Sequence, residues 1–225
     1  MVRLRPSSKS ALMMCSVLLG MTGVSGCADD NVSLFVRGPV PPMASMGSCT
    51  FDPSGDLQFD GTFDVGSTFP RRTGYKLGLA VQNQLQARAT SGRAEPNGIH
   101  ITRAEIRLED IGGNLILPAY SVPTAGYVPP GADATNPGQG IVTVEVIPVS
   151  VIPALAGVGD GATVVSYIRL FGETNGTIDI ETGDYVWPIS LCNGCLFLCL
   201  DDPDASQELA CIPGQDSVSL IQCAM

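Results

Sequence analysis

The fold class is decided by residues 162–191, which read ATVVSYIRLFGETNGTIDIETGDYVWPISL. Residues 162–171 are nearly all apolar on both alternating faces, a pattern typical of a strand deep in a β-sandwich. Asn175-Gly176 is the preferred pair for a tight type I′ hairpin turn. Residues 177–191 then return with an alternation that places Ile178 inward. The stretch therefore predicts two antiparallel strands joined by a hairpin.

Two phase changes interrupt the alternation of apolar residues in extended segments. Within residues 98–108 the apolar positions switch faces near Thr102-Arg103, which indicates a β-bulge. The same phase puts His100 on the exposed face. A second phase change falls at Thr182-Gly183, inside the returning strand of the hairpin.

Short strands with Gly and Pro between them continue along the rest of the chain. Leu57, Phe59, Phe63 and Val65 alternate with polar residues, as in a half-buried strand. Residues 120–140 contain four Pro and four Gly, which indicates a loop.

These patterns together predict the class of the whole domain. Pro39, Pro41 and Pro42 are expected to forbid regular structure after an apolar run that begins at Ser33. No amphipathic helix longer than three turns is evident. With 26 Gly and 17 Pro in the chain, we expect an all-β fold, a β-sandwich of antiparallel strands with the general architecture of an immunoglobulin domain.

The N-terminal residues combine a basic start, a short apolar stretch and small residues before a cysteine. The basic side chains are Arg3, Arg5 and Lys9. Residues 11–24 are apolar but shorter than the roughly 20 residues of a membrane-spanning helix. The stretch closes on Val24-Ser25-Gly26-Cys27, so the segment has the organisation of a secretory signal peptide.

Ending on Gly-Cys, this segment resembles the lipobox of bacterial lipoproteins. The resemblance implies cleavage before Cys27 and acylation of that cysteine, so that its lipid holds the protein on a membrane. By the sorting rule of such lipoproteins, Ala28 favours the outer membrane. We therefore expect a lipid-anchored protein of the cell envelope.

Cleavage changes the charge and the cysteine count of the chain. It removes three of the 12 Lys and Arg residues and none of the 22 Asp and Glu residues, which leaves a net charge of −13. Such a surface repels nucleic acid, which we exclude as a partner. Cys15 leaves with the signal and Cys27 takes the lipid. Six cysteines remain: Cys49, Cys192, Cys195, Cys199, Cys211 and Cys223.

An even number of cysteines in an exported chain indicates disulfides, and six cysteines allow 15 connectivities. We expect a disulfide-stapled C-terminal segment, tied by Cys49 to the start of the domain. Cys192-Asn193-Gly194-Cys195 also has the spacing of redox and metal sites. Redox pairs need a following helix and zinc needs four ligands in a reducing compartment, so disulfides are favoured over both.

Four segments follow from these observations. They are residues 1–26, a signal peptide that is removed; residues 27–50, a lipid-anchored tether and first strand; residues 51–191, the β-sandwich; and residues 192–225, a Cys-rich segment packed on the sandwich.

Candidate chemistry in the domain is sparse. The single histidine, His100, has no recognisable nucleophile frame around it. Carboxylate-rich turns are weak candidates for calcium, which binds several oxygen ligands from a loop. These calcium candidates are Asp52, Asp56, Asp201, Asp202 and Asp204.

We therefore expect a non-catalytic structural or interaction module without a cofactor, bound to the membrane through the lipid on Cys27 and in contact with other envelope proteins. A calcium-assisted adhesion or ligand-binding module is the alternative. An envelope hydrolase is less favoured.

Overall fold

A computed structural model describes residues 33–45, 48–66, 73–88, 93–200 and 210–221. These residues form thirteen β-strands and one short helix. In chain order they are β1 (Leu34–Val40), β2 (Met43–Ser45), β3 (Ser48–Thr50), β4 (Gly61–Asp64), β5 (Tyr75–Asn83), β6 (Ile99–Asp110), β7 (Leu115–Val128), β8 (Gly138–Ile147), α1 (Ile152–Leu155), β9 (Thr163–Thr174), β10 (Asp179–Glu181), β11 (Tyr185–Cys192), β12 (Phe197–Cys199) and β13 (Ser219–Ile221). The all-β prediction is confirmed.

One nine-stranded sheet carries most of these elements. Its order is β1-β5-β8-β7-β6-β9-β11-β4, and β10 pairs with β9. Neighbours in this sheet are antiparallel except β4 and β11, which are parallel. Two small sheets, β2-β3 and β12-β13, lie outside it. None of the described helices is long and apolar enough to span a membrane.

The sheet curls so that its two ends enclose one core. The indole Nε1 of Trp187 on β11 donates a hydrogen bond to the hydroxyl of Tyr75 on β5, at 3.1 Å. The rings of Tyr75 and Phe63, on β4, lie edge to face with centroids 5.6 Å apart. Gly61 leaves room for this contact, because a Cβ there would lie 1.8 Å from the Tyr75 hydroxyl. Strands far apart in the sheet order therefore meet across the core.

The β-bulge predicted near Thr102-Arg103 is confirmed. The register of β6 shifts between Ile101 and Arg103 in its ladders with both β7 and β9. Ile101 and Ala104 both face the core, while Thr102 and Arg103 are exposed between them. The extra residue thus keeps apolar side chains on one face of a long strand.

The hairpin between β9 and β10 is present, but its turn differs from the predicted type I′ turn. Positive φ falls on Thr177, at 63°, and not on Asn175 or Gly176. The amide of Thr174 donates to the carbonyl of Ile178, which closes a three-residue loop. Ile178 is 63% exposed, so its inward placement was wrong: it lies at the loop end of the hairpin, beyond the core.

Local composition misled the prediction of a loop over residues 120–140. Strand β7 continues to Val128 and β8 begins at Gly138, so only the residues between them connect. Pro123 lies within β7, opposite Arg103 at the bulge. Pairing with β6 therefore keeps this segment extended as a strand, although its proline and glycine content alone predicts a loop.

Two smaller strand predictions also need correction. The strand predicted over residues 57–65 is reduced to Gly61–Asp64, and Phe59 is 84% exposed. Conversely, β1 continues through Pro39, which was expected to end regular structure. A proline is tolerated there because β1 is an edge strand of the sheet.

Candidate functional site

Three cross-strand pairs occupy the exposed face of β6 and β9. Arg103 lies opposite Phe171, Glu105 opposite Arg169, and Arg107 opposite Tyr167. Residues directly opposite each other on one face have Cβ atoms about 5 Å apart, close enough for their side chains to interact. We call the side chains of Arg103, Arg107, Tyr167, Arg169 and Phe171 the outer platform.

Two arginines of the outer platform, Arg103 and Arg107, lie on aromatic rings. The guanidinium carbon of Arg103 is 3.6 Å from the ring centroid of Phe171, and that of Arg107 is 3.9 Å from the centroid of Tyr167. Each such cation–π contact contributes about 0.5–1 kcal/mol at an exposed site. The stacking holds two flexible side chains flat against the sheet and orders the surface.

Carboxylates balance the charge of the platform. Arg169 donates from Nε to Asp184 at 2.9 Å, and Arg107 lies 3.7 Å from the same carboxylate. The hydrogen bond to Asp184, followed by its negative charge, raises the pKa of Arg169. Arg107 also pairs with Glu109. The outer platform and its neighbouring carboxylates therefore form a surface with both positive and negative charges, whose positions are fixed by ion pairs.

A cleft of about 500 Å³ opens at the Arg103 end of the platform. Its lining combines the bulge residues, the ring of Phe171 and three carboxylates. The lining residues are Thr102, Arg103, Phe171, Gly172, Glu173, Asp179, Ile180 and Glu181. The bulge turns two successive side chains outward, and the hairpin strand β10 supplies the opposite wall.

His100 is exposed, as predicted, on the same face of the sheet. Its ring lies against Tyr127, with ring centroids 4.9 Å apart. Neither residue lines the cleft. The hydrolase hypothesis stays untested, and this position gives it no support.

A second cluster joins the ends of β4 and β11. The parallel register places Asp64 opposite Cys192, and the following turn brings Cys195 back toward both. Ligand atoms of these three residues lie within 4.8 Å of one another. Among the described residues this is the one such group of three or more metal-ligating side chains.

Asp64 is buried, only 3% exposed, and backbone amides hold its carboxylate. Oδ1 accepts from Gly66 at 3.1 Å and from Gly194 at 2.9 Å, and Oδ2 accepts from Leu196 at 3.3 Å. Two of these three donors belong to the loop that contains Cys195. The carboxylate therefore fixes the shape of that loop, a role that the sequence did not reveal.

Disulfides are present in the positions that the cysteine count predicted. Cys49 bonds to Cys211 across a sequence separation of 162, and Cys192 bonds to Cys195. Cys199 is also disulfide-bonded. The first bridge ties the C-terminal segment to the β2-β3 hairpin, as expected for Cys49. The lipidation residue Cys27 and the sixth bridging candidate, Cys223, lie outside the described residues.

Of the calcium candidates, the structure describes Asp52 and Asp56. Oδ1 of Asp52 accepts hydrogen bonds from the amide and hydroxyl of Ser54, at 2.8 and 2.7 Å, which lowers the pKa of Asp52. Asp56 is exposed. Asp201, Asp202 and Asp204 lie outside the described residues. Calcium binding therefore stays a prediction.

Residues 214–216 form a third polar cluster, which sequence analysis missed. The amide of Asp64 donates to the carbonyl of Gly214, and the amide of Asp216 donates to Thr62, both at 2.9 Å. The side chain of Gln215 accepts from the amide of Lys76 at 2.8 Å and donates to its carbonyl at 2.6 Å. We call residues 214–216 the closing segment, because they link β4 to β5.

Comparison with protein-family models, curated proteins and solved structures found no match to this chain.

Proposed function

We propose that this protein is a lipid-anchored component of the cell envelope, with outer-membrane sorting, and that its β-domain is a non-catalytic interaction module. The lipobox-like motif Val24-Ser25-Gly26-Cys27 supports the anchor. Disulfide-bonded cysteines fit an oxidising compartment such as the envelope. The partner proposed for the module is another envelope protein.

The cleft beside the outer platform is the observation that carries the binding role. Arginine and aromatic side chains are the residue types that concentrate binding energy in protein interfaces. Arg103 and Phe171 lie together at this cleft and are already ordered by their mutual contact. A surface whose side chains are held before binding loses less side-chain entropy when a partner docks.

The anchor is tested by replacing Cys27 with Ser in the full chain. We expect the wild-type protein in the outer-membrane fraction, with an N-terminal peptide that begins at a lipid-modified Cys27. The Cys27→Ser protein should leave the membrane fraction. An unmodified Cys27 in the wild-type chain would refute the anchor.

The binding role is tested by photo-crosslinking in living cells. A crosslinker placed at Thr102, in the lining of the cleft, should capture one envelope protein. The combined changes Arg103→Ala and Phe171→Ala should abolish this product, whereas Arg88→Ala, at an exposed position outside the cleft, should not. A product that persists in the double variant would rule out the cleft as the binding surface.

A further inference from the structure

We propose that reduction of the Cys192–Cys195 disulfide converts the loop beside Asp64 into a three-ligand site for a thiophilic metal ion such as Zn²⁺. The inference concerns the cluster at the ends of β4 and β11 and does not rest on the proposed function. It assigns to this cluster a metal site that exists only in the reduced protein.

The pairing of β4 with β11 and the turn that follows β11 position the three proposed metal ligands. Because β4 and β11 pair in parallel, Asp64 and Cys192 end adjacent strands at the same level. Gly194, with φ of 77°, lets the chain turn within two residues so that Cys195 returns to the cluster. In the disulfide form, the two bonded sulfur atoms and a carboxylate oxygen of Asp64 lie within 4.8 Å of one another.

The carboxylate is held in place by neutral groups. The hydrogen-bond partners of Asp64 in this cluster are the amides of Gly66, Gly194 and Leu196. Oδ1 takes two of these bonds and Oδ2 takes one. A carboxylate has about four acceptor positions, so three donors from the described residues leave one position on Oδ2 for a metal ion.

A dithiol reductant supplies the two electrons and two protons that reduce the Cys192–Cys195 disulfide. A dithiol attacks the disulfide, its two sulfur atoms become bonded to each other, and its two protons pass to the sulfurs of Cys192 and Cys195. Metal binding then releases these two protons, because thiolates are the ligands. Two thiolates and a buried carboxylate place three negative charges together, and a divalent cation offsets that repulsion.

The chemistry of the donors selects the metal. Two thiolates and one carboxylate are the sulfur and oxygen ligands that Zn²⁺ accepts, and sulfur donors disfavour Ca²⁺ and Mg²⁺. Three protein ligands leave a fourth tetrahedral position for water. Cys195 is exposed, so solvent and the ion reach the cluster directly.

Cobalt is the test ion, because its thiolate complexes have a charge-transfer absorption band that identifies sulfur ligands. The full chain in detergent is treated with a dithiol, and alkylation with mass spectrometry confirms that Cys192 and Cys195 are free. We expect one Co²⁺ per reduced chain with the thiolate band, displaced by Zn²⁺. The oxidised chain should give no band.

Matched variants assign the ligands. Replacing Cys192 and Cys195 with Ser should abolish the band after reduction, whereas replacing Cys49 and Cys211 with Ser should retain it. Asp64→Asn should weaken cobalt affinity by about tenfold or more, because loss of even an indirect metal partner costs about that much. Asn keeps the Oδ1 acceptor for Gly66 and Gly194.

Two results would overturn the proposal. One is a band of equal strength in the Cys192→Ser/Cys195→Ser protein, which would place the ion on other thiols. The other is a reduced wild-type chain without the band, whether folded or unfolded by Trp187 fluorescence, because the loop must survive reduction to hold the ion. If the Asp64→Asn protein does not fold, the cysteine variants decide the outcome.

Discussion

At the residue scale, the hydroxyl of Tyr75 joins strands from both ends of the curled sheet. It accepts a hydrogen bond from Nε1 of Trp187 and donates to the carboxylate of Asp216, at 3.1 and 3.2 Å to its two oxygens. Burial, followed by the charge of Asp216, raises the pKa of Tyr75, so the hydroxyl keeps its proton. One side-chain oxygen thus links β5, β11 and the closing segment.

Replacing Tyr75 with Phe should lower the free energy of unfolding by about 2 kcal/mol, because it leaves the buried Trp187 Nε1–H without its acceptor. Tyr120→Phe is the matched control. It makes the same chemical change but removes a single bond, to the carbonyl of Val146, and should cost about 1 kcal/mol. Urea unfolding of both variants measures the difference. Equal losses would contradict the linking role of Tyr75.

The Asp216 carboxyl should make stability depend on pH. Burial raises its pKa above the ordinary value of 3.8, so the folded protein binds this proton more tightly than the unfolded chain does. Its contribution to stability is therefore full below pH 3.8 and is lost as pH rises through the folded pKa.

Asp216→Asn removes that titration. The free energy of unfolding of the wild-type protein should fall relative to that of Asp216→Asn as the pH is raised from 4 to 8, measured by urea unfolding at each pH. Asp52→Asn is the contrasting control, since the pKa of Asp52 is lowered and its titration has the opposite sign. Parallel curves for the wild-type and Asp216→Asn proteins would show that Asp216 does not titrate as proposed.

At the element scale, the bulge in β6 and the hairpin of β9 and β10 build the cleft together. The bulge turns Thr102 and Arg103 outward, and the three-residue loop returns the chain as β10 along β9. The bulge was visible in the sequence because a phase slip is a local signal. The loop type was not, because Asn175-Gly176 also fits a turn in which the next residue, Thr177, adopts positive φ.

Thr177→Gly should stabilise the hairpin by about 0.5–1 kcal/mol, since a β-branched residue is strained at positive φ and glycine is not. Thr177→Ala removes the same side-chain atoms beyond Cβ but keeps the strain, so it should give no gain. Thermal unfolding of the two variants compares them. A gain of similar size from both would show that backbone strain is not the cause.

At the scale of the whole molecule, the closing segment and the Cys49–Cys211 bridge both join the C-terminal segment to earlier parts of the domain. The closing segment covers the free edge of β4 and ties it to β5. An open strand edge invites pairing with another chain, so covering it protects the protein from aggregation.

The two disulfides should differ in their contribution to stability. In the chain-entropy model, the separation of 162 for Cys49–Cys211 corresponds to about 5 kcal/mol and the separation of 3 for Cys192–Cys195 to about 2 kcal/mol. Ser replacements of each pair, compared by guanidinium unfolding, measure this difference. A larger loss from the Cys192–Cys195 pair would contradict it.

The sequence correctly predicted those features that depend on residues close to one another in the chain. Apolar alternation identified the all-β class, and the phase slip identified the bulge and the exposure of His100. The parallel pairing of β4 with β11 was out of reach, because it joins residues more than 100 positions apart. Gln215 and Asp216 were also missed, since polar residues in a Cys-rich segment have no pattern that marks them as partners of Lys76 and Tyr75.

The closing segment has a consequence for the order of events in biogenesis. Synthesis proceeds from the N-terminus, so β4 and β5 emerge some 140 residues before the segment that joins them. A chain still being synthesised lacks the Cys49–Cys211 bridge and the residues that cover the edge of β4. The last contacts that complete the sheet therefore form only when nearly all of the domain has been synthesised.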